Sequence, residues 1–149
     1  MNKASQRLAP VPDPFNGMLG SHLRRSSVIA MTDLAESLAP LKLKPVEYSI
    51  LSTIAFHPGS TQSEVGKALG ILRANMAPII ATLTKKGLID REPVDGRSQA
   101  LRLSAAGHAV CRRALNITRE HEERVFGALS PAARTRMIAQ LRALWQPRS

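Results

Sequence analysis

Aromatic side chains are scarce in this 149-residue chain: three Phe, one Tyr and one Trp. A core without aromatics has to be packed with Ala, Leu, Ile and Met. With 44% hydrophobic residues, that composition suits a helical protein. Cysteine is scarcer still. The single Cys111 excludes an intramolecular disulfide framework and is neutral about compartment. No apolar run approaches the roughly 18 residues of a membrane span, and no secretion signal is visible. The expectation is therefore a soluble, cytoplasmic protein with no membrane partner. Acidic residues are also few, 11 against 21 Lys and Arg, for a net charge of +10. That balance favours an anionic partner, and DNA, RNA and acidic membranes all qualify on charge alone.

Catalytic constellations are missing as well. There is no Gly-rich phosphate loop, and candidate nucleophiles lack partners. His108 and Cys111 stand three apart on a predicted helix and share a face, which makes half a metal site. Two ligands are not enough, and His121 is more than two further turns away. The expectation is a non-enzyme with no cofactor and no metal. No internal repeat is present, and the length fits one domain with a real core.

What is present is concentrated between Thr61 and Gly107. Thr61 can cap a short helix, and Glu64, three residues on, completes a capping box. Val65, Ala68 and Leu69 give that helix an apolar stripe, and Gly70 ends it. A longer helix follows, with Met76, Ile79, Ile80 and Leu83 at helical spacing. Lys85 and Lys86 complement the negative end of its dipole before Gly87 stops it. Two short helices with a Gly turn form a helix-turn-helix, which braces one helix against a duplex and lays the second in the major groove. Leu88–Arg91 and Ala100–Leu103 then read as short strands around the turn formers Pro93, Asp95 and Gly96. A hairpin directly after a recognition helix is a wing.

The flanks complete the plan. Residues 1–20 hold Pro10, Pro12 and Pro14 with little periodicity and read as a flexible arm. Residues 21–149 form the folded domain. A helix over about 21–39 places Leu23, Ser27, Ala30, Leu34 and Leu38 on one face. Pro40 and Pro45 bracket the link to a helix ending near Phe56, before the break at His57-Pro58-Gly59. After the wing, a long helix runs from about Ala105 to Leu129, with Arg119, Glu122, Glu123 and Arg124 on its wet side. Ser130-Pro131 supplies a cap and a first-turn proline. The last helix lines up Met137, Ile138, Leu141, Leu144 and Trp145 and needs a partner surface.

In order and spacing, these elements resemble the MarR family of bacterial regulators. The resemblance rests on Pro45-Val46-Glu47-Tyr48-Ser49-Ile50-Leu51, the Thr61–Gly70 helix, Leu83 to Leu88, the Asp95-Gly96-Arg97 wing and Leu103-Ser104-Ala105-Ala106-Gly107. It spans all but the N-terminal tail. It implies a mainly α fold with a small β-hairpin wing: a winged helix-turn-helix lobe over about 43–104, flanked by dimerisation helices over about 21–39 and 105–146. It further implies a homodimer whose terminal helices interleave, and an effector lodged between lobe and dimerisation helices. Arg73-Ala74-Asn75-Met76-Ala77-Pro78 resembles a subgroup in which several members answer to aromatic acids or their coenzyme A thioesters. Pro78 departs from the commonest family pattern. It removes an amide donor, so the helix is expected to start late or bend there. Redox-sensing members carry a reactive Cys near the first helix, where this chain has none, which argues against a peroxide switch at Cys111.

The candidate DNA-facing residues are Gln62, Ser63, Arg73, Asn75, Met76, Asp95, Arg97 and Ser98. Arg73 can bond guanine bidentately and Asn75 adenine. Gln62 and Ser63 begin the preceding helix, where its positive end suits phosphate. Arg97 is placed to enter a minor groove, and Asp95 to orient an arginine. His22, Arg24, Arg25 and Ser26 are candidate anchors for an anionic effector, an acyl-CoA being suited to basic residues that pair its phosphates. The expected function is a ligand-responsive repressor on double-stranded DNA, binding a pseudo-palindromic operator and released by an aromatic carboxylate or aromatic acyl-CoA. The alternatives are a MarR-like repressor of efflux or stress genes with a different apolar ligand, a nonspecific architectural DNA-binding protein, and a winged helix used for protein contacts.

Overall fold

The computed structural model describes residues 13–94 and 98–146. Among them, six helices and one hairpin follow in the order α1 (Leu19–Leu38), a 3₁₀ turn (Ala39–Leu41), α2 (Pro45–Phe56), α3 (Gln62–Leu69), α4 (Arg73–Lys85), β1 (Ile89–Pro93), β2 (Gln99–Leu103), α5 (Ala105–Phe126) and α6 (Pro131–Trp145). The mainly α winged helix-turn-helix is the fold observed.

Local chemistry accounts for most of the boundaries. Thr61 Oγ1 accepts from the Glu64 amide at 3.3 Å, while Glu64 Oε2 accepts from the Thr61 amide at 2.8 Å, so the expected capping box closes. Gly70 ends α3 in the left-handed conformation at φ +64°, where a Cβ is disfavoured. Ser104 and Ser130 cap α5 and α6, and Pro131 occupies the first turn of α6. Pro78 does not delay α4, which runs unbroken in assignment from Arg73. The exposed first turn absorbs the lost amide.

Three boundaries differ from expectation. α1 begins at Leu19, two residues before Ser21, because residues 13–18 fold back on it. Asn16 O lies 2.6 Å from His22 Nε2, and Asp13 pairs with Arg25 at 2.7 Å. The described part of the expected arm is thus a turn and a helix start; residues 1–12 lie outside the described residues. α5 stops at Phe126 rather than Leu129. Pro93, expected in the turn, lies in β1 opposite Gln99, at the edge where its missing amide costs no ladder bond.

β1 and β2 pair antiparallel with Ile89 opposite Leu103, and residues 59–61 add a third edge through Gly59 N to Leu101 O and Leu101 N to Ser60 O. This ties the start of α3 to the hairpin. The core gathers Leu38, Leu43, Ile50, Leu51, Ile54, Val65, Met76, Ile80, Leu83, Leu88, Ile89, Leu101 and Leu103, with α5 laid on through Ala114. α5 can approach because Gly107 carries no Cβ: one there would collide with the Leu88 carbonyl.

Two polar clusters pin the lobe and its flanking helices. Glu47, almost wholly buried at the start of α2, takes Lys86 Nζ at 2.9 Å on both carboxylate oxygens, and Lys86 also donates to the Lys42 carbonyl. Lys86 therefore clamps the end of α4 to the start of α2 rather than merely complementing a dipole. Between α1 and α5, Asp33 accepts from Arg124 Nε at 2.9 Å and lies 2.7 Å from buried His121 Nδ1. Arg124 is exposed, as expected for the wet side of α5, and its guanidinium bonds that carboxylate from there.

Candidate nucleic-acid interface

The N-terminal ends of α3 and α4 and one side of the hairpin surround a cleft of about 460 Å³. Gln62 and Ser63 line one side, Arg73 another, and Ser98 the hairpin side. Four of the expected DNA-facing residues thus share one recess. Lys67, Arg91 and Gln99 join them. Sequence reasoning passed over these three, although the signals were there. Lys67 follows Ser63 by one helical turn, and Arg91 lies two residues after Ile89, on the same face of β1.

α3 aims its positive end into this recess. Its first-turn amides at Gln62 and Ser63 precede the first intrahelical acceptor, which leaves them directed outward. The Glu64 carboxylate nearby is held below its ordinary range by hydrogen bonds from the Thr61 amide and then the Thr61 hydroxyl. Its Oε2 is engaged by the cap. Cations dominate the rest: Lys67, Arg73 and Arg91 make the rim complementary to a phosphate chain.

α4 presents Arg73, Asn75, Ala74, Ala77 and Pro78 outward and buries Met76, Ile80 and Leu83. Met76, expected among the DNA-facing residues, is 1% exposed, so its side chain belongs to the core. The cause is α3: Gly66 leaves room for Met76 to pack between the two helices, and a Cβ at position 66 would sit 2.9 Å from Met76 Cγ. Asp95 and Arg97 lie outside the described residues; Ser98 stands at the start of the returning segment, where its carbonyl accepts from the Val94 amide at 3.0 Å.

The candidate effector residues lie elsewhere, at the start of α1. His22 and Arg25 are occupied by the Asn16 carbonyl and Asp13, whereas Arg24 and Ser26 are exposed. His108 is exposed and Cys111 half-buried, 3.8 Å from Ser52 Oγ. Among the described residues no three His, Cys, Asp or Glu side chains are placed to hold a metal, and no helix is long and apolar enough to cross a membrane.

Comparison with known proteins agrees with this geometry. The MarR family model matches residues 41–98, which span the helix-turn-helix and β1 and end before β2. The candidate transcriptional regulatory protein for the hcr operon of Thauera aromatica is 29% identical over 133 residues, 87% of this chain and 80% of that protein. The transcriptional regulator HosA of Escherichia coli O111:H- is 30% identical over 86 residues, 56% of this chain and 64% of that protein. Among solved structures, the transcriptional repressor CouR bound to a 23-mer DNA duplex superposes with a TM-score of 0.83 at 29% identity, covering 90% of this chain and 99% of that one. CouR bound to p-coumaroyl-CoA gives 0.84 at 26% identity, over 94% and 100%. With capped helix-turn-helix, cationic recess and hairpin in the same order, this chain is similar over the helix-turn-helix to the MarR family, and in fold to winged-helix, DNA-binding transcriptional regulators.

Proposed function

We propose that the chain is a cytoplasmic, homodimeric repressor that binds a pseudo-palindromic operator and is released by an aromatic carboxylate or its coenzyme A thioester. The observation that carries the DNA half is the recess between α3, α4 and the hairpin, where Gln62, Ser63, Arg73 and Ser98 converge with Lys67 and Arg91. In this reading Gln62 and Ser63 hold phosphate, Arg73 and Asn75 read base edges in the first turn of α4, and Arg97 of the wing enters the minor groove with Asp95 orienting it. The domain is residues 21–149, with the lobe over about 43–104.

The dimer is supported by apolar surface that nothing among the described residues covers. α6 buries no residue, and Met137, Ile138, Leu144 and Trp145 are exposed, as are Val28, Ile29 and Met31 on α1. Folded monomers rarely leave such an area open. Two lobes on one dimer suit half-sites about one helical turn apart, roughly 34–36 Å.

The ligand class is supported by likeness to CouR, solved with p-coumaroyl-CoA, and by Arg73-Ala74-Asn75 at the head of α4. His22, Arg24, Arg25 and Ser26 are the proposed anchors, with Arg24 the readiest to pair an anionic group. Release is a population shift: the ligand prefers a state whose recognition helices no longer match the operator spacing.

The test is fluorescence anisotropy at fixed salt on DNA upstream of the protein's own gene, with and without p-coumaroyl-CoA. Selective binding released by the thioester is the expected result. Selective binding that ignores p-coumaroyl-CoA and free aromatic acids overturns the ligand class alone. Binding no tighter than to scrambled duplex, there and in a selection from random duplexes, overturns the operator reading.

A further inference from the structure

The outward face of α4 has an unusual chemistry for a helix meant to read bases. Ala74, Pro78 and Ala81 fall at i, i+4 and i+7 and are all exposed, opposite buried Met76, Ile80 and Leu83. Ala77 flanks the same line and is exposed too. No side chain along that ridge can donate or accept a hydrogen bond. Pro78 lacks even its backbone N–H. Hydrogen-bonding groups stand only at the ends and edges: Arg73 and Asn75 in the first turn, Thr82 to one side and Lys85 beyond. The Thr82 hydroxyl is engaged with the Pro78 carbonyl at 2.9 Å.

We propose that this ridge reads thymine by contact with its 5-methyl group, so that Ala74, Pro78 and Ala81 are specificity-determining residues for a thymine-bearing stretch of each half-site. The inference rests on the operator-binding reading above and deepens it. Its occupant is the major-groove edge of duplex DNA. The argument for that occupant is charge: the ridge adjoins the recess that Lys67 and Arg91 line, which suits the phosphates beside a groove. Thymine is the one base that offers an apolar group in that groove. Small side chains also let the helix backbone approach closely, which a methyl contact requires. From residue 74 to 81 the ridge is about 10 Å long at 1.5 Å per residue, which covers about three base-pair steps. Hydrogen-bonded readout is then confined to Arg73 and Asn75 at the leading end, with methyl readout following along the helix.

Deoxyuridine isolates the question, because it keeps every hydrogen-bonding group of thymine and removes only the methyl. The preferred operator is first selected from randomised duplexes with the wild-type protein, and each thymine is then replaced singly by deoxyuridine. The expected result is a loss of about three- to fivefold per position, the worth of one buried methyl, within one window of about three base pairs per half-site, and no loss outside it. Pro78→Gln improves helix propensity and puts a polar side chain in place of the apolar contact, so it is expected to fold, as circular dichroism will check. In that variant the deoxyuridine penalty disappears at one position of the window while the others persist. A selected operator without thymine in such a window overturns the proposal, as does selective binding that deoxyuridine leaves unchanged throughout. Either outcome leaves operator binding itself standing. Failure to select any sequence at all instead removes the operator reading beneath it, and the proposal falls with it.

Discussion

At the residue scale, the clearest energetic commitment is Asp33. Its carboxylate is held far below the usual range, first by the hydrogen bonds from Arg124, then by that from His121, against a smaller opposing desolvation. A depressed carboxylate contributes stability that is fully present above the unfolded value, about 4, and is lost as pH falls through the folded value. Asp33→Asn should therefore lower the urea midpoint at pH 7. The gap from wild type should persist down to the ordinary carboxylate range and narrow only below it. Equal midpoints at pH 7 would mean the Arg124 and His121 contacts do not hold α1 to α5. Glu47 poses the complementary case. It is 3% exposed and takes two bonds from Lys86, so Lys86→Met strands a buried carboxylate. The cost should be about 2–3 kcal/mol in denaturant unfolding, with no change in the salt dependence of DNA binding, because Lys86 faces α2 rather than phosphate.

At the scale of elements, the strand-to-helix junction is the tightest point. Ser104 donates from Oγ to the Gly87 carbonyl at 2.6 Å and accepts from the Gly107 amide at 3.0 Å, while its own amide reaches the Leu88 carbonyl at 3.1 Å. One serine thus joins the end of α4, the start of β1 and the cap of α5. Gly107→Ala drives a methyl group into the Leu88 carbonyl, and neither backbone can yield without moving the hairpin against α5. A loss of about 2–3 kcal/mol is expected from such overpacking, read as a lowered thermal midpoint. Gly20→Ala, within α1 and with nothing within 4 Å of the added Cβ, should leave the midpoint unchanged or raise it slightly through helix propensity. The elements themselves were legible in the sequence wherever their chemistry is local: the Thr61–Glu64 box, Gly70, Gly87 and Ser130-Pro131 all act within a few residues. Pairings between distant residues leave no such trace. Glu47 with Lys86 and Asp33 with His121 are 39 and 88 residues apart, and nothing near Lys86 or Arg124 marks it as held. Met76 misled for a related reason. Periodicity placed it on the apolar stripe and proximity to Arg73 placed it among DNA contacts, and only the opening at Gly66 decides between them. The recess was half legible, through Gln62, Ser63 and Arg73. Lys67 stands one turn after Ser63 on α3 itself, whereas Arg91 and Gln99 enter the recess only once the hairpin folds back beside α3.

At the scale of the whole molecule, the remaining question is what covers α1 and α6. Trp145 is the one tryptophan in the chain and is 67% exposed within it, so its emission reports directly on a partner. If two chains interleave as proposed, Trp145 fluorescence at micromolar concentration should be blue-shifted and should move to the red on dilution below the dimer dissociation constant. Ile138→Asp places a charge on the same face, 52% exposed in the isolated chain, so the substitution spares the core and acts on assembly. It should convert the protein to a monomer in sedimentation analysis while circular dichroism stays helical. Because two tethered lobes gain about 10²–10⁴ in avidity over one, operator affinity should fall by about a hundredfold or more, whereas affinity for an isolated half-site should scarcely change. A dimer that survives Ile138→Asp with unchanged Trp145 emission would place the interface away from α6. The open apolar face of that helix would then need another occupant.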